Sequence, residues 1–322
     1  MKVVVRAPSN IAFIKYWGKK NEKLRIPANS SISMNLSDAY TETSVEFKKI
    51  LSDDLVIIDG KKIDGKEKER ISRHLNLIRK MARINFFAEV LSKNNFPKGA
   101  GIASSASGFA ALTLAGVKAA GLNLSEKELS VLARLGSGSA CRSIPDGFVE
   151  WKKGSKSSDS YAYSLKSPEY WDIRDIIVVV GEKSKKVGST EGHKEATSSP
   201  FYKARISEMD KKIADIKLAL KNKDFTKFGR IVEEEAINMH TVMMTSKPPL
   251  FYWLPKTLEI MQSITTWREA GLETYFTIDA GPNIHVICRS KDVRKVKTKL
   301  EKIQGVKKII INRVSKGARI VK

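Results

Sequence analysis

Several residue types are scarce in this chain, and each scarcity excludes a class of protein. Only two cysteines occur in 322 residues, Cys141 and Cys288, and their spacing matches no metal site. We expect both to be buried thiols, with a disulfide as the alternative if the source is a hyperthermophile. The sequence has no apolar run of about 18 residues or more, so we expect no membrane span and no membrane partner.

The N-terminal apolar stretch in MKVVVRAPSN is too short for a signal peptide, which favours a cytoplasmic protein. Glutamine occurs only twice, whereas 29% of the residues are charged. This composition is typical of proteins from thermophiles. There are four histidines, His74, His193, His240 and His285, and no pair has the spacing of a metal site. We assign none of them to catalysis.

Acidic residues are also in deficit, with 35 Asp and Glu against 58 Lys and Arg, which gives a net charge of +23. Such a surplus attracts polyanions, either nucleic acids or phosphorylated metabolites. The lysines are spread along predicted helices beside Glu or Asp, and no motif interleaves basic with aromatic residues. We therefore expect no nucleic-acid partner, and a basic surface is also suited to steering a small phosphorylated substrate.

Hydrophobic periodicity predicts mixed α and β structure in both halves, with residues 1–60 mostly extended. The predicted helices cover 67–94, 104–120, 124–136, 198–246 with a break near 222–224, 251–271 and 292–303. Ser125 and Glu128 form a predicted capping box. The predicted later strands cover 147–154, 161–166, 172–181, 274–290 with an internal turn, and 307–321. After the predicted strand at 172–181 the pattern becomes mainly helical, which places a domain boundary near residue 183, between 1–183 and 184–322.

The stretch GAGIASSASG at 99–108 contains almost only small, uncharged residues and precedes a predicted helix. A helix N-terminus offers free backbone N–H groups and a partial positive charge, and small residues allow an anion to approach them. The hydroxyls of Ser104, Ser105 and Ser107 add donors. No Gly-Lys-Ser/Thr follows, so this is not a P-loop. By composition alone, a phosphate-binding loop and a tight helix-packing surface are equally supported.

Six segments in order along the chain separate these interpretations. They are PSNIAFIKYWGKK at 8–20, PANSSIS at 27–33, GIASSASGFAAL at 101–112, GSGSACRSIPDGFVEW at 136–151, a spaced MH, PP and YW pattern at 239–253, and TIDAGPNI at 277–284. Together they resemble the GHMP kinase superfamily and, within it, the mevalonate diphosphate decarboxylases. The resemblance covers nearly the whole chain.

This resemblance implies an α+β fold of the GHMP-kinase two-domain type, with a ribosomal-protein-like N-terminal half and a ferredoxin-like C-terminal half. The active site would lie in the cleft between them. It also implies ATP and Mg²⁺ as cofactors and a small-molecule substrate, mevalonate 5-diphosphate. Phosphorylation of the tertiary 3-hydroxyl is followed by loss of phosphate and CO₂, which gives isopentenyl diphosphate. Family members also suggest a homodimer.

Three positions match catalytic residues of the family. Asp279 matches the aspartate near the 3-hydroxyl, where a carboxylate acts from hydrogen-bond distance. Lys15 matches a lysine beside it, and a cation there lowers the aspartate pKa. Arg142 matches the arginine that holds the substrate carboxylate, for which a planar guanidinium is well suited.

The resemblance also assigns binding residues. The substrate-binding residues implied are Asn10, Tyr16, Lys19, Arg70, Ser139, Ser189 and Thr190. The ATP-binding residues implied are Gly101, Ala103, Ser104, Ser105 and Ser107. We assign no metal ligand beyond Mg²⁺ held through ATP, with Ser105 as the candidate hydroxyl.

Two departures from the family pattern leave alternatives open. Several family members carry Arg at the position of Thr190, so a mevalonate 5-phosphate decarboxylase is an alternative. A mevalonate 3-kinase is another, although such kinases lack the pair that Lys15 and Asp279 form. Asp146 follows Pro145 where the family usually has glycine, and it either pairs with Arg142 or faces solvent; we favour solvent, because Asp is common in turns. A basic nucleic-acid-binding protein is a remote third alternative.

Overall fold

The computed structural model describes residues 1–96, 104–181 and 187–321. Within these residues, the larger sheet contains β1 (Val3–Ile14), β4 (Ser31–Lys48), β5 (Leu55–Ile58), β6 (Lys61–Lys62), β7 (Phe87–Asn94), β8 (Phe148–Trp151), β9 (Ala162–Lys166) and β14 (Arg319–Ile320). The smaller sheet contains β10 (Ile173–Val179), β11 (Thr274–Thr277), β12 (Ile284–Arg289) and β13 (Lys308–Arg313). A two-stranded hairpin is formed by β2 (Lys19–Asn21) and β3 (Ile26–Pro27).

The helices cover these sheets. They are α1 (Gly65–Ala82), α2 (Ser104–Ala119), α3 (Glu126–Gly136), α4 (Ser189–Glu195), α5 (Tyr202–Asn222), α6 (Phe225–Met244), α7 (Pro255–Glu269) and α8 (Val293–Glu301). The mixed α+β architecture is as the sequence predicts, and so is the Ser125–Glu128 capping box at the start of α3. The predicted break between α5 and α6 is confirmed as well.

The predicted helix over 67–94 is wrong beyond residue 82. Helix α1 ends at Arg83, which has a left-handed backbone with φ of 56°. The chain then forms β7, which pairs antiparallel with β4 and parallel with β5. Ala88 and Val90 are buried at a spacing of two. Two neighbouring strands thus supply ladder hydrogen bonds that outweigh the weak helical pattern.

The larger sheet runs in the order β14-β1-β4-β7-β5-β6, with β8 and β9 added beside β4. Strand β4 is 18 residues long, and its two ends have different partners on the same edge. Its second half pairs with β7, whereas Ser31–Met34 pair with β8. Irregularities after Pro8 and Ala12 in the β1–β4 ladder bend β1. This bend delivers the end of β1 to the centre of the molecule.

The cores explain how the two halves are held together. One apolar cluster lies between the larger sheet and α1–α3, and another lies between the smaller sheet and α7 and α8. A third cluster joins side chains of both sheets to α5 and α6, with Phe13, Ile177 and Phe228 among its members. Gly229 lets α6 approach β11, since a Cβ there would lie 2.0 Å from the Tyr275 ring.

Strand β10 belongs to the smaller sheet although it precedes the predicted boundary near residue 183. The C-terminal strand β14 returns to pair with β1 in the larger sheet. The boundary itself falls among residues outside the described part of the chain and stays a prediction. Cys141 and Cys288 are both buried and free, as expected. No helix in the described segments is long and apolar enough to cross a membrane.

Candidate active site

The residues that the sequence predicts converge on one cleft of about 320 Å³, where the end of β1, the start of α2, α4 and the turn after β11 meet. The predicted site residues that line it are Lys15, Tyr16, Lys19, Arg70, Ser104, Ser105, Ser139, Arg142, Ser189, Thr190 and Asp279. Asn10 and Ser107 lie outside this lining. Gly101 and Ala103 lie outside the described residues.

At the centre of the cleft, Lys15 Nζ lies 2.7 Å from Asp279 Oδ1. The lysine side chain is 1% exposed and the aspartate side chain is 26% exposed, so the carboxylate faces the cleft and the ammonium lies behind it. Burial favours a neutral Asp279, but the charge and hydrogen bond of Lys15, together with His285 and Arg142, outweigh that effect and hold the pKa of Asp279 below its usual value. Burial lowers the pKa of Lys15, which the carboxylate opposes. The cleft therefore presents an ionised carboxylate at neutral pH.

The backbone of Lys15 is fixed by a buried ion pair that the sequence analysis missed. The Lys15 N–H donates to Glu235 Oε1 at 3.0 Å. Arg205 donates to both oxygens of Glu235 and, at 3.4 Å, to the Lys15 carbonyl. Both side chains of the pair are fully buried. Asn29 Nδ2 also donates to the Lys15 carbonyl at 2.9 Å. No local motif marks Arg205 or Glu235, because their role depends on contacts far apart in sequence.

Helix α6 also holds the aspartate. His240, five residues after Glu235, lies with Nε2 3.2 Å from the Asp279 carbonyl oxygen. Burial and the Lys15 charge lower the pKa of His240 to about 3, so the ring is neutral and Nε2 carries the donated proton. One helix thus fixes the backbone of both Lys15 and Asp279. His240 therefore contacts the backbone of Asp279 and not its carboxylate.

Arg142 is held by the two strands behind it. Its Nε and Nη2 donate to Asn10 Oδ1 at 3.2 and 3.1 Å, and its Nη1 donates to Ser31 Oγ at 2.6 Å. A guanidinium has five N–H groups, so one remains on each terminal nitrogen for a ligand carboxylate. Asn10, predicted to contact the substrate, instead orients Arg142 from behind. Asp146 is exposed and accepts from the Gly317 N–H at 2.7 Å, so it does not pair with Arg142.

Position 138, four residues before Arg142, has room for a glycine but not for a larger residue. A Cβ at this position would lie 2.6 Å from Cε1 of Tyr16, too close for real atoms. The Tyr16 ring packs edge-on against Trp151 and lies 4.1 Å from the His193 ring, centroid to centroid. Tyr16 is therefore a wall of the cleft.

Cations gather at the end of the cleft near α4. Lys19 pairs with Glu22 at 2.7 Å, and Arg70 donates to the Gly136 carbonyl at 2.8 Å. Arg25 also lines this end, a residue that the sequence analysis missed. Its one signal in the sequence is its place two residues before the recognised 27–33 segment. Ser189 and Thr190 begin α4, and His193 follows on the same helix.

The start of α2 forms the opposite wall. Its first turn contains no acidic residue, and Ser105 Oγ lies 3.1 Å from Ser137 Oγ. A second pocket of about 120 Å³ shares Arg70, Ser104 and Ser105 with the cleft and continues beneath apolar side chains of α1 and α2. Ser107, predicted to bind ATP, is fully buried and lies 2.7 Å from Thr41 Oγ1. It therefore packs α2 on β4 instead of facing the cleft.

Comparison with known proteins agrees with this geometry. Residues 7–162 match the model of the diphosphomevalonate decarboxylase-like N-terminal domain. Residues 175–320 match that of the mevalonate 5-diphosphate decarboxylase C-terminal domain. The chain is 36% identical over 311 residues to the diphosphomevalonate decarboxylase of Debaryomyces hansenii, covering 90% of this chain and 80% of that protein.

Solved structures agree over the full length. The crystal structure of mevalonate diphosphate decarboxylase from Staphylococcus aureus has a TM-score of 0.94 and 40% identity, covering 100% of this chain and 98% of that one. A structure of MDDEF in complex with MVAPP, AMPPCP and magnesium has a TM-score of 0.94 and 38% identity, covering 100% and 99%. The chain therefore belongs to the diphosphomevalonate decarboxylase family of the GHMP superfamily.

Proposed function

We propose that this cleft carries out the ATP-dependent decarboxylation of mevalonate 5-diphosphate to isopentenyl diphosphate, in isoprenoid biosynthesis by the mevalonate pathway. One observation carries the proposal: Lys15 Nζ and Asp279 Oδ1 lie 2.7 Å apart, and both residues line the same cleft as Arg142. A tertiary hydroxyl, a carboxylate and a phosphate chain each find a matching group there.

Asp279 acts on the tertiary hydroxyl. Because its pKa lies below the usual value, it is an ionised but weak base. It accepts a hydrogen bond from the hydroxyl, orients the oxygen, and takes the proton as that oxygen forms its new bond. Lys15 keeps the carboxylate ionised and fixes its direction. Helix α6 keeps both groups in place through Glu235 and His240.

Arg142 receives the substrate carboxylate on its two remaining N–H groups. The hydrogen bonds to Asn10 and Ser31 fix the plane of the guanidinium before the substrate arrives, so little entropy is lost on binding. The carboxylate is then held beside the carbon that bears the leaving group. When CO₂ departs, its bonding electrons form the new double bond.

The wall at α2 fits the phosphates of ATP. The helix N-terminus, the Ser104 and Ser105 hydroxyls and the absence of acid in the first turn suit an anion. Mg²⁺ would be held through the phosphates of ATP, with the Ser105 hydroxyl as the candidate protein ligand. ATP supplies the phosphoryl group that makes the hydroxyl oxygen a good leaving group, and Mg²⁺ neutralises phosphate charge.

The alternatives are less well supported. A 3-kinase that does not decarboxylate has no use for the Lys15–Asp279 pair. A monophosphate substrate would leave part of the cation-rich end, with Lys19, Arg25 and Arg70, without an anion. Nucleic-acid binding does not explain why a buried lysine pairs with a carboxylate that faces a cleft.

The test is ATP-dependent CO₂ release by purified protein with Mg²⁺, measured in parallel with mevalonate, its 5-phosphate and its 5-diphosphate. We expect release with the 5-diphosphate only. Release with the 5-phosphate would assign the chain to the monophosphate branch, and ADP without CO₂ would reduce it to a kinase. Asp279→Asn should abolish turnover with near-normal ATP binding, whereas the control Asp210→Asn, at an exposed carboxylate on α5, should be silent.

We also propose that the protein is a cytoplasmic homodimer from a thermophile. Composition supports the thermophile origin, and family resemblance supports the dimer. Phe251 and Leu254, just before α7, and Leu258, in its first turn, are exposed by 73%, 41% and 46%, which supports a covered surface in solution. Light scattering on the purified protein would measure the mass directly.

A further inference from the structure

Two guanidinium groups lie at the C-terminal end of α3, in the cation-rich part of the cleft. Arg25 Nε donates to the Leu135 carbonyl at 3.0 Å, and Arg70 donates to the next carbonyl, Gly136, through Nε and Nη2. Consecutive carbonyls thus hold both cations side by side at the negative end of a helix dipole. Within residues 1–96, 104–181 and 187–321, neither arginine has a carboxylate within ion-pair distance.

Arg25 is held in a conformation that costs energy. Its φ of 50° lies in the left-handed region, which is unfavourable for a residue with a Cβ. It lies directly before β3, which pairs with β2, the strand that begins with Lys19. Among the described residues, no partner is found for its Nη1 and Nη2 nitrogens. The hairpin therefore points an unneutralised charge at the cleft.

Like charges held this closely disfavour one another. Burial first, and the charge of Arg25 second, lower the pKa of Arg70 to about 10. A bound anion with two or more negative charges would offset the repulsion between Arg25 and Arg70 and would accept charge-assisted hydrogen bonds from them. The arrangement is therefore suited to a doubly charged terminal phosphate more than to a single carboxylate.

His193 adds a neutral donor at the same end. Its Nδ1 accepts from the Gly18 N–H at 2.9 Å, so the proton of the neutral ring is on Nε2. Burial, followed by Lys19 and Arg25, lowers the pKa of His193 well below its usual value, which keeps the ring neutral. In the described structure Nε2 has no hydrogen-bond partner, and the residue lines the cleft.

We propose that Arg25 determines specificity for the terminal phosphate of the diphosphate substrate, which it binds together with Arg70 and the His193 Nε2–H. This inference rests on the function proposed above and adds to it. The second pocket continues from the wall at Ser104 and Ser105 that we assign to the phosphates of ATP, and it is lined by Arg70 but not by Arg25. We therefore expect Arg25 to contact the substrate and not the nucleotide.

The experiment compares Arg25→Ala with Arg25→Lys and with Lys23→Ala, a control that removes one charge from the exposed turn of the same hairpin. Arg25→Ala should raise KM for mevalonate 5-diphosphate roughly 10- to 100-fold, the range for a charge-assisted hydrogen bond. KM for ATP and kcat should stay within about threefold. The ratio of the affinities for the 5-diphosphate and the 5-phosphate, with the 5-phosphate measured as a competitive inhibitor, should fall by the same factor as KM rises. Arg25→Lys should be intermediate, and Lys23→Ala should match the wild type.

An unchanged KM for the 5-diphosphate in Arg25→Ala would overturn the inference, and so would a rise confined to KM for ATP. Calorimetry with inorganic pyrophosphate and with inorganic phosphate separates this test from the proposed reaction. Even if the wild type released no CO₂ from the 5-diphosphate, Arg25 should still favour pyrophosphate over phosphate. Equal pyrophosphate affinity in wild type and Arg25→Ala would refute the assignment on its own.

Discussion

The buried Arg205–Glu235 pair makes a prediction that separates stability from catalysis. In Glu235→Gln, the amide oxygen still accepts from the Lys15 N–H, but Arg205 loses its carboxylate in a fully buried position. Breaking a buried ion pair from one side costs about 3–5 kcal/mol. With an unfolding entropy of about 2.1 cal/mol/K per residue over 322 residues, each kcal/mol lowers the melting temperature by about 1.5 °C, so the midpoint should fall by roughly 4–8 °C. Below that midpoint, kcat should stay within about threefold, since the Lys15 backbone remains held.

The double variant Arg205→Met with Glu235→Leu should lose less stability than Glu235→Gln but more catalytic activity. It leaves no unpaired charge, so most of the stability lost in Glu235→Gln is retained. It also leaves the Lys15 N–H buried without an acceptor, which costs about 1–3 kcal/mol. The freed backbone lets Lys15 move relative to Asp279, so kcat should fall at least tenfold, about 1.4 kcal/mol.

The measurements are thermal denaturation followed by circular dichroism, and initial rates of CO₂ release well below either midpoint. The double variant should have the higher melting temperature, whereas Glu235→Gln should have the higher kcat. If kcat instead tracked the melting temperature in both, the pair would contribute stability alone, and our account of how Lys15 is positioned would be wrong.

Three further predictions follow from the site. Lys15 helps to hold the pKa of Asp279 lower in the folded protein than in the unfolded chain. The pair therefore stabilises the fold above about pH 4, and this stability is lost as the pH falls further. The difference in melting temperature between wild type and Asp279→Asn should therefore narrow between pH 7 and pH 3. Arg142→Lys keeps the charge but loses the planar pair of donors, so kcat/KM should fall at least tenfold in steady-state assays. Gly138→Ala places a Cβ 2.6 Å from the Tyr16 ring and should lower both stability, by about 1–3 kcal/mol in chemical denaturation, and affinity for the substrate.

Each of these has an outcome that would contradict it. A pH-independent difference for Asp279→Asn would mean that the Lys15 interaction does not stabilise the fold. Normal kinetics in Arg142→Lys would mean that the arginine does not bind a carboxylate. Wild-type behaviour in Gly138→Ala, with Gly108→Ala as a matched control in open space, would show that the Tyr16 wall yields easily.

The sequence predicted those parts of the fold and the site that depend on residues close together in the chain. The small residues at 104–108 start a helix at the cleft, and the strand–turn–strand unit at 274–290 carries Asp279. Family motifs then brought together Lys15 and Asp279, which are 264 residues apart. Periodicity failed at β7, where partners from other parts of the chain decide between helix and strand.

Residues that act through distant contacts could not be found in this way. Arg25, Arg205 and Glu235 lie in lysine- and glutamate-rich segments, where a charged residue ordinarily faces solvent. Only the fold shows that Arg205 and Glu235 meet beneath Lys15, and that Arg25 turns inward. Asn10 shows the converse: its motif marks an important residue, but its contact with Arg142 is visible only in three dimensions.

After β13 the chain returns to the larger sheet and contacts the exposed Asp146. Asp146 accepts from the Gly317 N–H, Ser143 accepts through its carbonyl from the Ala318 N–H, and Arg319 and Ile320 pair with β1. The last described residues thus brace the segment that carries Arg142 and also cover a sheet edge that would otherwise be open to strand addition. Shortening the chain before residue 317 should therefore weaken activity and promote aggregation together.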